Sequence, residues 1–233
     1  MLLSGDVDPH DFEFRPADVK KVMAADLFII NGVGLEGWLG KLLKKTGGKK
    51  PTIVDTSAGI ELLTDNPHIW LDPVNAHRQA RNILDALLAA DPDNAEIYRR
   101  NAAAYFAELE QLDADFRAMA ASVADKNMVT LHDAFPYLAK RYGFDYLGYV
   151  EEFPEHDPRP DDLRALTETI RQRGVKVIFA ETGYSPKLLA EIARQTGARV
   201  EELDTLETGE PTADAYLVGT RKNLETLRRA WQQ

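Results

Sequence analysis

The sequence predicts an α/β fold in which two parallel-sheet lobes are bridged by one long helix. Three observations carry this. Short apolar runs, bounded by polar residues or by Gly and Pro, alternate with amphipathic segments of helical period. Two of these runs flank a helical segment at a spacing that suits a parallel strand–helix–strand unit. From Asn94 to about Ala124 no Gly or Pro interrupts the helical pattern, and a helix of roughly thirty residues spans about 45 Å. A helix that long in a small protein is expected to cross from one lobe to another.

The elements follow in order. Leu2–Leu3 is a candidate first strand. Leu27–Asn31 reads as a buried strand, Gly34–Lys45 as a helix stopped by Gly47 and Gly48, and Thr52–Asp55 as the next strand. A helix over Pro73–Ala89 opens on Asp72-Pro73, which supplies a cap and then a proline at the first helical position. Asp91-Pro92 breaks the chain, and the long helix follows. Its apolar stripe is Tyr98, Ala102, Tyr105, Phe106, Leu109, Leu112 and Phe116. Beyond it, strands at Met128–Leu131, Phe144–Val150, Val175–Ala180 and Arg199–Leu203 alternate with helices at Ala134–Tyr142, Asp161–Arg173, Ser185–Thr196 and Ala213–Trp231. The expected organisation is an N-terminal lobe over 1–92, a linking helix over 93–125 and a C-terminal lobe over 126–233. The first lobe is short of at least one strand and helix.

Composition narrows the function. The net charge is -10, which disfavours nucleic acid as a partner because phosphate contacts need basic surface. There is no cysteine, so thiolate metal sites, disulfides and cysteine nucleophiles are excluded, and any metal must be held by imidazole and carboxylate. No apolar run reaches membrane-spanning length. The first ten residues lack the basic and apolar regions of a signal peptide. The sequence holds no HExxH helix, no GxSxG elbow and no phosphate-binding loop, so the common hydrolase and nucleotide signatures are missing.

Five histidines remain as candidates. His10 and His68 each follow a proline, which restrains the approaching backbone and lowers the entropy lost when a ligand binds. His132 follows the strand Met128–Leu131, and Asp204 directly follows Arg199–Leu203. Ligands of parallel sheets collect at such carboxyl ends. Three imidazoles and one carboxylate form a nitrogen-rich set of the kind zinc takes tetrahedrally, whereas manganese prefers more oxygen. Taken singly, each histidine reads as readily as a hydrogen-bonded structural residue, and Asp204 as a turn residue. His77 falls on the polar side of its helix and is expected to be solvated. His156 lies in an acidic stretch that reads as loop surface.

Several uncommon segments recur together along the chain: DPHDFEFRPADVKKVMAADLFIINGVGLEGWL, NPHIWLDPVNA, TLHDAFPYLAKRYG, VIFAETGYSPKLLAEIARQTG and ELDTLETGEPTADAYLVGTRKNLETL. In these the sequence resembles the metal-specific solute-binding proteins of zinc and manganese ABC importers. The resemblance implies two α/β lobes joined by a stiff helix, with the metal between them. It implies a monomer outside the cytoplasm, periplasmic or at the cell surface, that passes a divalent ion to an importer permease and is not an enzyme. Carried over by position, the family's ligands fall on His10, His68, His132 and Asp204, with Glu181 a candidate for orienting an imidazole. Manganese-type members tend to carry a carboxylate where this chain has His132. That makes Zn2+ the expected ion and Mn2+ or iron the alternative, although the short segment between Leu62 and His68 is more usual in manganese members. Members carry an export signal and often a strand and helix before the DPH segment, so a truncated first lobe is expected. A surface-adhesin role is sometimes attached to the family. The reading from a different class is a metal-dependent hydrolase with Glu181 or Glu36 as base.

Overall fold

In the computed structural model the described residues are 2–3, 5, 7, 9–10, 12–47, 51–151, 158–185 and 187–232. The readings placed on His156 and Gly48 lie outside them. The chain forms two compact units. One comprises 1–111 with 207–211, and the other 112–206 with 212–233.

The first unit holds α1 (Pro16–Ala24), β1 (Leu27–Ile30), α2 (Leu39–Lys45), β2 (Thr52–Asp55) and α3 (Pro73–Ala90). Helix α1 escapes the apolar-periodicity argument because it buries only Asp18 and Val22. Its start is nevertheless written in the sequence: Pro16 occupies the first turn, and the Asp18 carboxylate accepts from the Arg15 N–H at 2.9 Å. Leu2–Leu3 is not a strand. Strands β1 and β2 pair in parallel, Leu27 opposite Thr52 and Ile30 opposite Asp55. Helix α2 begins five residues later than its apolar pattern suggests. Val33 and Gly34 have φ of 54° and 81°, and a right-handed helix cannot run through left-handed backbone. Helix α3 starts where expected, with the Asp72 carboxylate accepting from the Val74 N–H at 2.9 Å.

Helix α4 (Ala95–Ser122) is the long helix, and the division between the units falls at residue 111, within it. Tyr98, Ala102, Tyr105 and Phe106 are half-buried, while Leu109, Leu112, Phe116 and Met119 are buried. His77 is not simply solvated. Its ring packs on Phe106 with centroids 4.3 Å apart, and its Nε2 lies 3.9 Å from Glu110 Oε1. An imidazole on α3 is three carbons and two nitrogens wide, so one face can pack while an edge stays polar.

The second unit is a fully parallel four-stranded sheet in the order β4-β3-β5-β6. The strands are β3 (Asn127–His132), β4 (Asp145–Glu151), β5 (Val177–Glu181) and β6 (Arg199–Leu203). Around them lie α5 (Pro136–Tyr142), α6 (Pro160–Arg173), α7 (Lys187–Thr196) and α8 (Ala215–Trp231). Alternation along the strands sorts the side chains. Val129, Leu131, Ile178 and Ala180 join Leu166, Ile170, Leu189 and Ile192 in one buried cluster. The opposite face is aromatic. Trp231 packs edge-on against Phe144 and Phe179, and Phe116 stacks on Tyr142 at 4.9 Å and 17°. Phe116 is fully buried, so Phe116→Ala is expected to cost about 3–5 kcal/mol, read as a fall in the urea midpoint at unchanged slope.

Candidate metal centre

The strand order fixes where chemistry can gather in the second unit. From β3 the chain crosses to β4 on one side, and β5 lies on the other, so β3 and β5 flank a switch point at their carboxyl ends. Thr130 pairs with Phe179. Two residues further along both strands come His132 and Glu181, each the last residue of its strand and on the same face. His132 Nδ1 lies 3.1 Å from Glu181 Oε2, and the Thr205 hydroxyl donates to Glu181 Oε1 at 2.7 Å. All three residues are buried. A carboxylate can only accept, so it selects the tautomer with the proton on Nδ1 and leaves Nε2 with a lone pair. Glu181, carried over as a candidate, therefore does orient an imidazole. Glu181→Gln is expected to weaken binding of a divalent metal ion by that imidazole about 10–100-fold, measured by competition with a chromophoric chelator.

Behind His132 the end of β3 is braced. The Thr130 hydroxyl donates to the His132 carbonyl at 2.7 Å, and the Tyr146 hydroxyl donates to Asp133 Oδ1 at 2.9 Å. Burial pushes the Tyr146 phenol well above its ordinary range, with the Asp133 charge adding to the effect. It stays a neutral donor.

The first unit carries its own cluster. His10 Nε2 lies 3.3 Å from His68 Nε2, and Glu207 Oε1 lies 3.1 Å from the former and 3.3 Å from the latter. His68 and Glu207 side chains are 1% and 3% exposed and His10 12%. The Asn66 side-chain oxygen accepts from the His68 backbone N–H at 3.1 Å and lies 2.9 Å from His68 Nδ1. An amide oxygen there again places the ring proton on Nδ1 and turns the Nε2 lone pair toward His10 and Glu207. One small cation satisfies all three, because a tetrahedral shell with bonds of about 2.0–2.1 Å sets ligand atoms about 3.3–3.4 Å apart.

Of the residues singled out by sequence, His10 and His68 are brought together, and His132 meets its orienting carboxylate. Asp204 lies at a turn. Its Oδ1 accepts from the Leu206 N–H at 2.8 Å, its N–H donates to Asn223 Oδ1 at 2.8 Å, and its carbonyl accepts from Asn223 Nδ2 at 2.7 Å. It organises a turn. Leu206 then adopts φ 61°, and its side chain fills the space a Cβ at Gly219 would take. Glu207 follows that turn. The sequence argument passes over Glu207 because it favours the residue directly after a strand, and Asn66 because an amide two residues before a histidine carries no signature.

Glu36, the other carboxylate considered as a base, accepts from the N–H groups of Asn31 at 2.7 Å and Gly32 at 3.1 Å. Burial raises its pKa, and these backbone donors counter that.

Comparison with known proteins agrees with the chemistry. The family ZnuA, zinc-uptake complex component A, periplasmic, matches residues 1–230. A high-affinity zinc uptake system protein ZnuA of Bacillus subtilis is 33% identical over 98% of this chain and 79% of its own length. A zinc-binding protein AdcA of Streptococcus pyogenes is 30% identical over 98% of this chain, which spans half of that relative. Among solved structures, the solute-binding protein FpvC of P. aeruginosa in complex with Ni2+ superposes with a TM-score of 0.89, at 29% identity over 99% of this chain and 87% of that one. The chain belongs to the ZnuA family of periplasmic zinc-uptake components, which are metal-binding solute-binding proteins.

Proposed function

We propose that this protein captures Zn2+ outside the cytoplasm through His10, His68 and Glu207, with His132 a fourth ligand by its position in the family, and delivers it, as a monomer, to the permease of an ABC-type importer. The observation that carries the reading is the convergence of His10 Nε2 and His68 Nε2 on one Glu207 oxygen, all within 3.3 Å. Three neutral nitrogens and one anionic oxygen leave a bound Zn2+ with net charge +1 and no open position. That suits cargo held and released intact. Asp204, the carboxylate favoured by strand position, has its side chain committed to the Leu206 N–H and is the weaker candidate. Zinc is preferred over manganese because the set is rich in nitrogen. A nickel-bound relative shares the fold, so selectivity rests on the ligand set.

The test is elemental analysis of protein purified without added metal, paired with competition between Zn2+ and Mn2+ at equal concentration. Zinc in near-stoichiometric amount, undisplaced by manganese, is expected. Displacement by manganese would overturn the choice of metal.

A metal-dependent hydrolase would need an open coordination position and a carboxylate base. Both acidic side chains considered for that role are engaged, Glu181 with His132 and Thr205 and Glu36 with two backbone N–H groups. The absorption spectrum of the Co2+-substituted protein is expected to be four-coordinate and insensitive to added azide. A spectrum that shifts with azide would reopen the enzymatic reading.

A further inference from the structure

The turn that carries His68 is held from behind by a side chain that touches no metal ligand. His68 has φ -79° and ψ 45°, and the Ile69 N–H donates to the Pro67 carbonyl at 2.8 Å. That is an inverse γ-turn centred on His68. The same Pro67 carbonyl accepts from Asn31 Nδ2 at 2.9 Å, across 36 residues of sequence.

Asn31 itself is fixed on every side. Its Nδ2 also donates to the Gly32 carbonyl at 3.1 Å, and its Oδ1 accepts from Gln79 Nε2 at 2.9 Å. Gln79 Nε2 in turn donates to Thr56 Oγ1 at 3.0 Å. The backbone beneath it is clamped by the Glu36 carboxylate. Gly32 lies so close to β2 that a Cβ would collide with the Asp55 carboxylate. The amide therefore has one orientation, and its spare donor meets the carbonyl immediately preceding a metal-facing histidine. Acting at that carbonyl, Asn31 sets the ψ of Pro67 and through it the direction of the His68 Cα–Cβ bond.

We propose that Asn31 is a positioning residue for zinc, clamping the γ-turn so that His68 Nε2 is held at its ligating point in the metal-free protein. The proposal rests on His68 being a zinc ligand. A turn fixed in advance loses less entropy on binding, so loosening it shows first as faster zinc release.

The test compares Asn31→Asp, Asn31→Ala and Asn82→Leu with the wild-type chain. Asn31→Asp keeps the acceptor for Gln79 but turns an anionic oxygen toward the Pro67 carbonyl. Asn82 is the structural comparator. Its Nδ2 donates to the Thr56 and Ala58 carbonyls at 2.8 and 3.0 Å, bracing the same strand end away from the His68 turn. Zinc Kd by chelator competition, the d–d spectrum with Co2+ and the melting temperature of the metal-free protein are read for each. Both Asn31 variants are expected to raise Kd about 3–30-fold, below or within the range for a direct orienting partner, and to change the Co2+ band. Asn82→Leu is expected to lower the melting temperature with Kd and spectrum unmoved. Folded Asn31 variants with wild-type Kd and spectrum overturn the proposal. So does an equal rise in Kd for Asn82→Leu, and so does failure of both Asn31 variants to fold, which would make Asn31 a residue of the fold. Absence of zinc binding by the wild-type chain would instead overturn the proposed function.

Discussion

His68→Ala is expected to weaken zinc binding by about 10²–10³-fold, because four ligands share roughly 10–16 kcal/mol of binding free energy at neutral pH. Each ligand then contributes about 2.5–4 kcal/mol, which corresponds to about 10²–10³-fold in affinity. His132→Ala should fall in the same range. The measurement is calorimetry with a competing chelator, so that Kd is resolved for both tight and weakened variants. The metal-free proteins should keep their helical circular dichroism, since neither imidazole carries a core. If both variants bind zinc as tightly as the wild type, the ligand assignment is wrong.

The second large effect separates two carboxylates three residues apart. Glu207→Gln keeps the shape and removes the charge, leaving His10 and His68 beside a neutral amide. A loss of about 10²-fold is expected. Asp204→Asn keeps the oxygen that accepts from the Leu206 N–H, and zinc affinity should stay within about threefold of wild type. A larger loss for Asp204→Asn than for Glu207→Gln would restore Asp204 as the ligand.

Why one carboxylate was legible and the other was not has a local cause. A strand end in a parallel sheet marks its next residue as exposed to ligand, and Asp204 satisfies that rule in sequence. The chain does not stop there. Asn223 on α8 grips the backbone of Asp204 from both sides, and Leu206 turns left-handed against Gly219. Only then does Glu207 reach His10, 197 residues away in sequence. Non-local grips of this kind leave no period or motif. The same holds for the clamp on His68, whose parts come from the residue after β1, from α3 and from the loop before residue 68.

The parallel sheets and the helices after residue 95 were legible because most strands carry a short apolar run and each helix has a stripe. The late start of α2 was not. It depends on the positive φ of Val33, a β-branched residue, at a site where only Gly32 and Gly34 would have signalled a turn.

One consequence concerns the order in which the protein is made. Residues 207–211 belong by their contacts to the unit built from 1–111, although the chain on either side of them belongs to the other unit. The first unit is therefore unfinished until residues 207–211 have been made. At about 5–20 residues per second, His10 waits roughly 10–40 seconds and His68 roughly 7–28 seconds for Glu207. During that time the nascent chain offers two imidazoles and no carboxylate between them. The acid that completes their cluster arrives long after both imidazoles, so strong zinc capture by that cluster begins only once Glu207 has been made.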